Sequence, residues 1–172
     1  VQPGAPGEPA KALSVVEAAT IADTSYSLDD VKFMQDMIPH HAQAVEMAAL
    51  IADRTNSSDI VDIGGRIDSS QADEIEFMQD WLTSRGEELP GDHDHHTHMS
   101  HEMMGMATAE QMSQLAASEG VAFDELFLTL MIRHHEGAVS MVQDLLMQPG
   151  SAYDPVLFEF VNDITNDQTS EI

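Results

Sequence analysis

Phe33-Met34-Gln35-Asp36-Met37-Ile38-Pro39-His40-His41-Ala42-Gln43-Ala44-Val45-Glu46-Met47 has a counterpart later in the same chain. Set beneath it at one constant offset, Phe127-Leu128-Thr129-Leu130-Met131-Ile132-Arg133-His134-His135-Glu136-Gly137-Ala138-Val139-Ser140-Met141 repeats the Phe, Met, Ile, His-His, Ala, Val and Met. An apolar helix pattern can recur by chance. A histidine pair framed by two methionines in the same register points to an internal repeat. A weaker echo follows each copy, first as Gln71, Glu74 and Ile75 and then as Gln168, Glu171 and Ile172. The repeating unit therefore reads as a helical hairpin.

Helical periodicity lays two apolar seams side by side in the first copy. They are Phe33/Met37/His40/Ala44/Met47/Ile51 and Met34/Ile38/His41/Val45/Ala48, with Gln35, Asp36, Gln43, Glu46 and Asp53 opposite. Both histidines thus straddle the face that must be buried. Residues equally distant from the turn of an antiparallel pair lie at similar height. That rule sets position 40 against 71 and 37 against 74, and in the second copy 134 against 168 and 131 against 171. The expected fold is all-α, a ferritin-like four-helix bundle built from two repeated antiparallel helical hairpins. Such a bundle is expected to gather His40, His41, His134, His135, Gln71, Gln168, Glu74, Glu171, Met37 and Met131 at one level.

At 172 residues the chain is long enough to bury a real core. Six Lys plus Arg against 31 Asp plus Glu leave a net charge of -25, which argues against nucleic acid and anionic membrane surfaces as partners and favours cations. No run is apolar enough for a transmembrane segment. There is no Cys, but there are 12 Met and nine His, so affinity for soft metals would come from thioether and imidazole, a substitution that suits an oxidising compartment.

Residues 1–27 read as a flexible Pro/Gly-rich lead-in, of the kind left when an export signal is removed, in which residues 10–22 form a short helix or lie extended. A bundle domain is expected over residues 28–172. It comprises a hairpin at 28–85, a His/Met-rich linker at 86–107, a short helix at 108–119 and a second hairpin at 121–172. The first helix should open after Ser27 and run to about Asp53, with Asp29 and Asp30 complementing its dipole and Pro39 kinking it. The second should run from about Ser58 to Arg85, stopped by Gly86. Thr108-x-x-Gln111 reads as a capping box, the third long helix should span about Phe123 to Met147, and Asp154-Pro155 should open the fourth. Ile172 corresponds to Ile75, after which helix 2 continues, so the last helix reads as cut short.

The linker carries His93, His95, His96, His98, Met99, His101, Met103, Met104 and Met106, nine His or Met in 14 residues. Mixed imidazole and thioether at such spacing suits copper or silver, and Met99, Met103 and Met106 are expected to hold a monovalent ion at pH 5, when imidazoles of ordinary pKa release theirs. The bland alternative for this segment is a solvated tether. For the paired histidines it is a buried polar network in which Glu74, Glu171, Gln71 and Gln168 bond the rings and fix helix pairing. Four imidazoles and two carboxylates exceed what a register device needs, so His40, His41, His134, His135, Glu74 and Glu171 are read as metal-binding residues. Met37, Met131, Met47 and Met141 would be ordinary core filling if taken singly, and join the set because each lies a turn or two from a histidine on the same seam. Catalytic constellations are poor. There is no Glu-x-x-His pair for a di-iron site, no Cys nucleophile, no phosphate loop and no zincin motif.

Met-Ile-x-His-His at 37–41 and 131–135, with Gln-x-x-Glu-Ile at 71–75 and 168–172, resembles domain-of-unknown-function family 305 over roughly residues 28–172. That resemblance implies a ferritin-like bundle exported by bacteria, similar to CopM-like binders of copper and silver. It also implies metal-handling roles for Met37, His40, His41, Met47, Met131, His134, His135 and Met141. The functional expectation is an extracytoplasmic protein, secreted, periplasmic or attached to the cell envelope. It would bind copper, as Cu(I) or Cu(II), or silver for sequestration, resistance or delivery, with zinc or iron as alternatives and a further metal-carrying exported protein as partner. The competing readings are a metal-dependent oxidase or peroxidase and a metal-free structural bundle.

Overall fold

Ser27 opens the first long helix through a capping box. Its hydroxyl accepts from the Asp30 N–H while the Asp30 carboxylate accepts from the Ser27 N–H, satisfying donors that a helix start leaves without partners. In the computed structural model, which describes residues 25–91 and 104–172 together with Ala10 and Ala12, this helix, α1, spans Leu28–Ala49. It runs on through Pro39 and gives way to a 3-10 turn, Ile51–Asp53, instead of reaching Asp53 as one helix. The tighter turn seats Ile51 on Gly64 of the next helix, where an added Cβ would lie 2.0 Å from the Ile51 Cδ1. α2 spans Ser58–Ser84, and Gly86 follows it with a φ of +76°, the left-handed conformation that ends helices at low cost in glycine.

Thr108 and Gln111 form the second capping box, opening α3 at Ala109–Ala117. α4 spans Val121–Leu146, beginning two residues before Phe123, and α5 spans Pro155–Glu171. Asp154 caps α5 by accepting from the Val156 N–H at 2.9 Å, with Pro155 in the first turn, where its missing N–H is no loss. Among the described residues there are five α-helices and no strand. No described helix is long and apolar enough to cross a membrane. Most of the lead-in, with the helix or extended segment weighed for residues 10–22, and residues 92–103 of the linker lie outside the described residues.

Two apolar clusters show how the four long helices pair. One joins Val31, Phe33, Met34 and Met37 of α1 to Met78, Trp81 and Leu82 of α2, Val142 and Leu145 of α4, and Leu157 and Phe160 of α5. The other joins Ala44, Met47 and Ile51 to Ile60 and Ile67, and to Phe123, Phe127 and Met131. The start of α1 thus meets the end of both α2 and α4, and the end of α4 meets the start of α5, so each neighbouring pair is antiparallel. Between the clusters, at the middle of the bundle, lie the paired histidines.

The two hairpins are tied at one end by polar contacts. Asp30, fully buried, also accepts from the Ala152 N–H at 2.8 Å in the α4–α5 turn. Asp154 accepts from the Arg85 guanidinium and from Trp81 Nε1, and the Arg85 guanidinium carbon lies 4.1 Å from the Trp81 ring centroid. Asp30→Ala removes the carboxylate half of the capping box and the buried charged acceptor of the Ala152 N–H, so it is expected to cost about 2–4 kcal/mol in denaturant unfolding. A loss below about 1 kcal/mol, the size of an exposed cap alone, would mean that the tie to Ala152 contributes nothing.

Candidate metal-binding layer

His40, His41, His134 and His135 are all buried, none more than 1% exposed. α1 and α4 cross where His40 meets His134, the ring centroids 3.8 Å apart and the planes inclined by 35°. The second histidine of each pair turns instead to the other helix of its own hairpin. His41 Nε2 stands 2.7 Å from a Glu74 oxygen, and His135 Nε2 is hydrogen-bonded to a Glu171 oxygen at 2.7 Å. Each hairpin therefore carries one histidine–carboxylate pair, and the two remaining rings meet each other at the centre.

Those central rings donate to backbone. His134 Nε2 is 2.7 Å from the His40 carbonyl, and His40 Nε2 is 3.0 Å from the carbonyl of Met104. This second contact brings the end of the His/Met linker onto the layer. Gly137 permits it, because an added Cβ there would lie 1.9 Å from the Met104 oxygen. Gly105 takes a φ of +83°, and its own added Cβ would lie 2.2 Å from the Arg133 carbonyl. Gln43, at the position in the first copy that Gly137 holds in the second, both donates to the Ala107 carbonyl and accepts from its N–H. Arg133 donates to the carbonyls of Gly105 and Met106. The role of Gln43, Arg133 and Gly137 as a cradle for residues 104–107 was not foreseen from sequence. A glycine in the interior of α4, costing about 1 kcal/mol relative to alanine, was the one available signal. Gly137→Val is expected to expel this strap at a cost of about 1–3 kcal/mol and to remove hydrogen-exchange protection from the Ala107 amide. Protection equal to that of the parent would mean that the strap is not seated on α4.

Burial governs the electrostatics of the central pair. It pulls His40 down from 6.5 to about 3, with the neighbouring His41 adding to the effect and the Met104 hydrogen bond opposing it. His134 falls from 6.5 to about 2, again by burial first and by His40 second. Both rings are therefore neutral, the form that binds metal, well below pH 5. The pH behaviour expected of ordinary imidazoles does not apply to these two.

Of the remaining residues proposed from sequence, Met37 packs in the first apolar cluster, with Met141 partly buried against it, while Met47 and Met131 belong to the second. Met37 and Met131 thus flank the histidines from opposite sides instead of sharing their level, because α1 and α4 run antiparallel. Gln71 and Gln168 are buried, but both polar atoms of Gln71 and the oxygen of Gln168 have no hydrogen-bond partner among the described residues. Met104 is exposed and Met106 half-buried, whereas His93, His95, His96, His98, Met99, His101 and Met103 lie outside the described residues. Among the described residues no group of three or more His, Asp or Glu side chains is gathered closely enough to hold an ion by itself. An ion at this layer would take two such donors or complete its shell with methionine, a coordination that suits monovalent soft ions.

Glu74 also borders a groove between α2 and α5, whose other walls include Asp73, Asp163 and Asp167 over Phe77 and Phe160, the two rings stacked at 4.2 Å. Partial burial raises the Asp167 pKa, and the nearby Glu74, Asp163 and Glu171 raise it further. The groove concentrates negative charge on the outer side of the histidine–carboxylate pairs.

This architecture has known counterparts. A crystal structure of a family-305 secreted-protein candidate from Streptomyces coelicolor superposes with a TM-score of 0.72 at 30% identity, over 84% of this chain and 87% of that one. A family-305 fragment from Deinococcus radiodurans gives 0.74 at 30% identity, over 86% and 92%. CopM in its Cu(II)-bound form gives 0.65 at 27% identity, over 83% and 90%. No curated protein matches the sequence at a significant level. The family model described as a domain of unknown function, DUF305, matches residues 30–172, and with the two structures at 30% identity it shows that this chain belongs to the DUF305 family.

Proposed function

We propose that this chain is an exported metal-binding protein that holds copper or silver ions through histidine and methionine, for sequestration, resistance or delivery, without turning over a substrate. The observation that carries the reading is the central layer, in which four buried imidazoles lie between methionine-containing clusters and each Nδ1 has no hydrogen-bond partner among the described residues. A polar atom buried at that cost is explained if it has a ligand to meet. His40, His41, His134 and His135 are the imidazole donors, with Met37, Met47, Met131 and Met141 as thioethers beside them. The linker, including Met104 and Met106, supplies further donors, and CopM's Cu(II)-bound form supports copper as cargo. Export is supported by the description of the Streptomyces relative and by the use of Met and His without Cys. The charge of -25 and the acidic groove favour collection of cations at the surface.

Elemental analysis of protein purified from copper-supplemented and from iron-supplemented cultures tests this reading. Copper retained from the first, with no iron from the second, is expected. Iron in stoichiometric amount would favour an oxidase, and the absence of both metals would leave a structural bundle.

A further inference from the structure

We infer that His40, His134 and His135 present Nδ1, not Nε2, to soft metal ions bound at the layer, and that Glu171 is a positioning residue for His135 rather than a ligand. The inference rests on the metal-binding reading above and specifies its chemistry.

A neutral imidazole has one N–H and one lone pair, so identifying the donor nitrogen identifies the ligating one. All four Nε2 atoms face an acceptor. For His40 and His134 it is a backbone carbonyl, at 3.0 and 2.7 Å, which can only accept. For His41 and His135 it is a carboxylate oxygen at 2.7 Å, which when ionised also only accepts. In His40, His134 and His135, where that contact is a hydrogen bond, the proton therefore sits on Nε2 and the lone pair on Nδ1. In these three rings Nδ1 is the nitrogen left buried with no partner among the described residues, whereas in His41 both nitrogens are.

The pattern is that of metal-binding histidines generally, in which the nitrogen away from the metal donates to a carbonyl or carboxylate that fixes the tautomer and raises the basicity of the other nitrogen. Here two rings are held by carbonyls and one by a carboxylate. Glu171 is hydrogen-bonded to His135 Nε2, whereas Glu74, 2.7 Å from His41 Nε2, makes no hydrogen bond to it. Glu171 is thus the sharper case. As an acceptor already engaged by Nε2–H, it is on the wrong side of the ring to share a metal bound at Nδ1.

Long-range proton–nitrogen correlation spectra of the full chain, labelled with 15N and titrated with Ag(I), test this. In metal-free protein His40, His134 and His135 are expected as Nε2–H tautomers. On adding silver, Nδ1 resonances should shift while the Nε2–H signals persist. If Nε2 shifts and loses its proton, the inference fails while metal binding stands. If only linker imidazoles respond, the layer does not bind and both fail. Affinity gives a second readout. Glu171→Leu should weaken silver binding at the layer about 10–100-fold, and Glu171→Gln, which keeps an accepting oxygen without the charge, should recover most of it. Equal loss in both variants would make the carboxylate a charged ligand, and no loss in either would give it no role; each overturns the assignment. Folding of both variants is checked by the fluorescence of Trp81, the single tryptophan.

Discussion

The metal-free protein is expected to lose about 4 kcal/mol of folding stability between pH 7 and pH 5, about 2 kcal/mol from each of His40 and His134. In the unfolded chain these rings protonate near 6.5, but in the fold burial holds them to about 3 and about 2. The unfolded state therefore binds more protons throughout the interval. Their contribution is fully present above pH 6.5 and declines as pH falls through the window towards those folded values. A loss of this size is a large part of the roughly 5–15 kcal/mol available to a typical domain. Protonation of surface carboxylates works the other way, by relieving the repulsion of a charge of -25, so a control is needed. His40→Leu/His134→Leu provides one, since it removes both titrating groups. Urea unfolding followed by Trp81 fluorescence should show a steep decline in the parent between pH 6.5 and 5 and a shallower one in the variant. Identical slopes would show that the central rings do not titrate as buried neutral groups.

Loading with Ag(I) should move the acid transition of the parent downwards. An ion that binds only the folded, neutral layer stabilises it by about 2.7 kcal/mol at one hundred times its dissociation constant and about 4.1 kcal/mol at one thousand times. At the higher excess this offsets the whole loss expected at pH 5. Because His40 and His134 are neutral there, protons do not compete for them as they would, about thirtyfold, for an imidazole of pKa 6.5. The midpoint should shift with silver concentration in the parent and stay fixed in His40→Leu/His134→Leu. A concentration-independent midpoint in the parent would place silver elsewhere than in the layer.

Much of this architecture is legible in the sequence because its strongest signals are local. Capping at Ser27, Thr108 and Asp154, the glycine after α2 and the period of the apolar seams each follow from residues within a turn or two. The hairpin register was nearly legible too. Equal distance from the turn sets Glu74 against Met37, yet its carboxylate meets His41, because side chains on a helix lean towards their own N-terminus and in an antiparallel pair they lean past one another. Sequence did not show how the two hairpins meet. That crossing puts His40 on His134, separates Met37 from Met131 and leaves room for the 104–107 strap at Gly137, and each depends on contacts between residues some 30 to 100 positions apart. Nor could an unperturbed pKa anticipate rings held neutral by burial, since the apolar clusters on either side of the layer are assembled from four helices.

The most direct test is a competition titration with Cu(I) and Ag(I), comparing the parent chain with His40→Leu/His134→Leu at pH 7, with Trp81 fluorescence confirming that both are folded. The account predicts that the variant loses the tightest site while ions held by the linker remain. Unchanged stoichiometry and affinity in the variant would contradict it, and the central histidines would then be a device for pairing helices and nothing more.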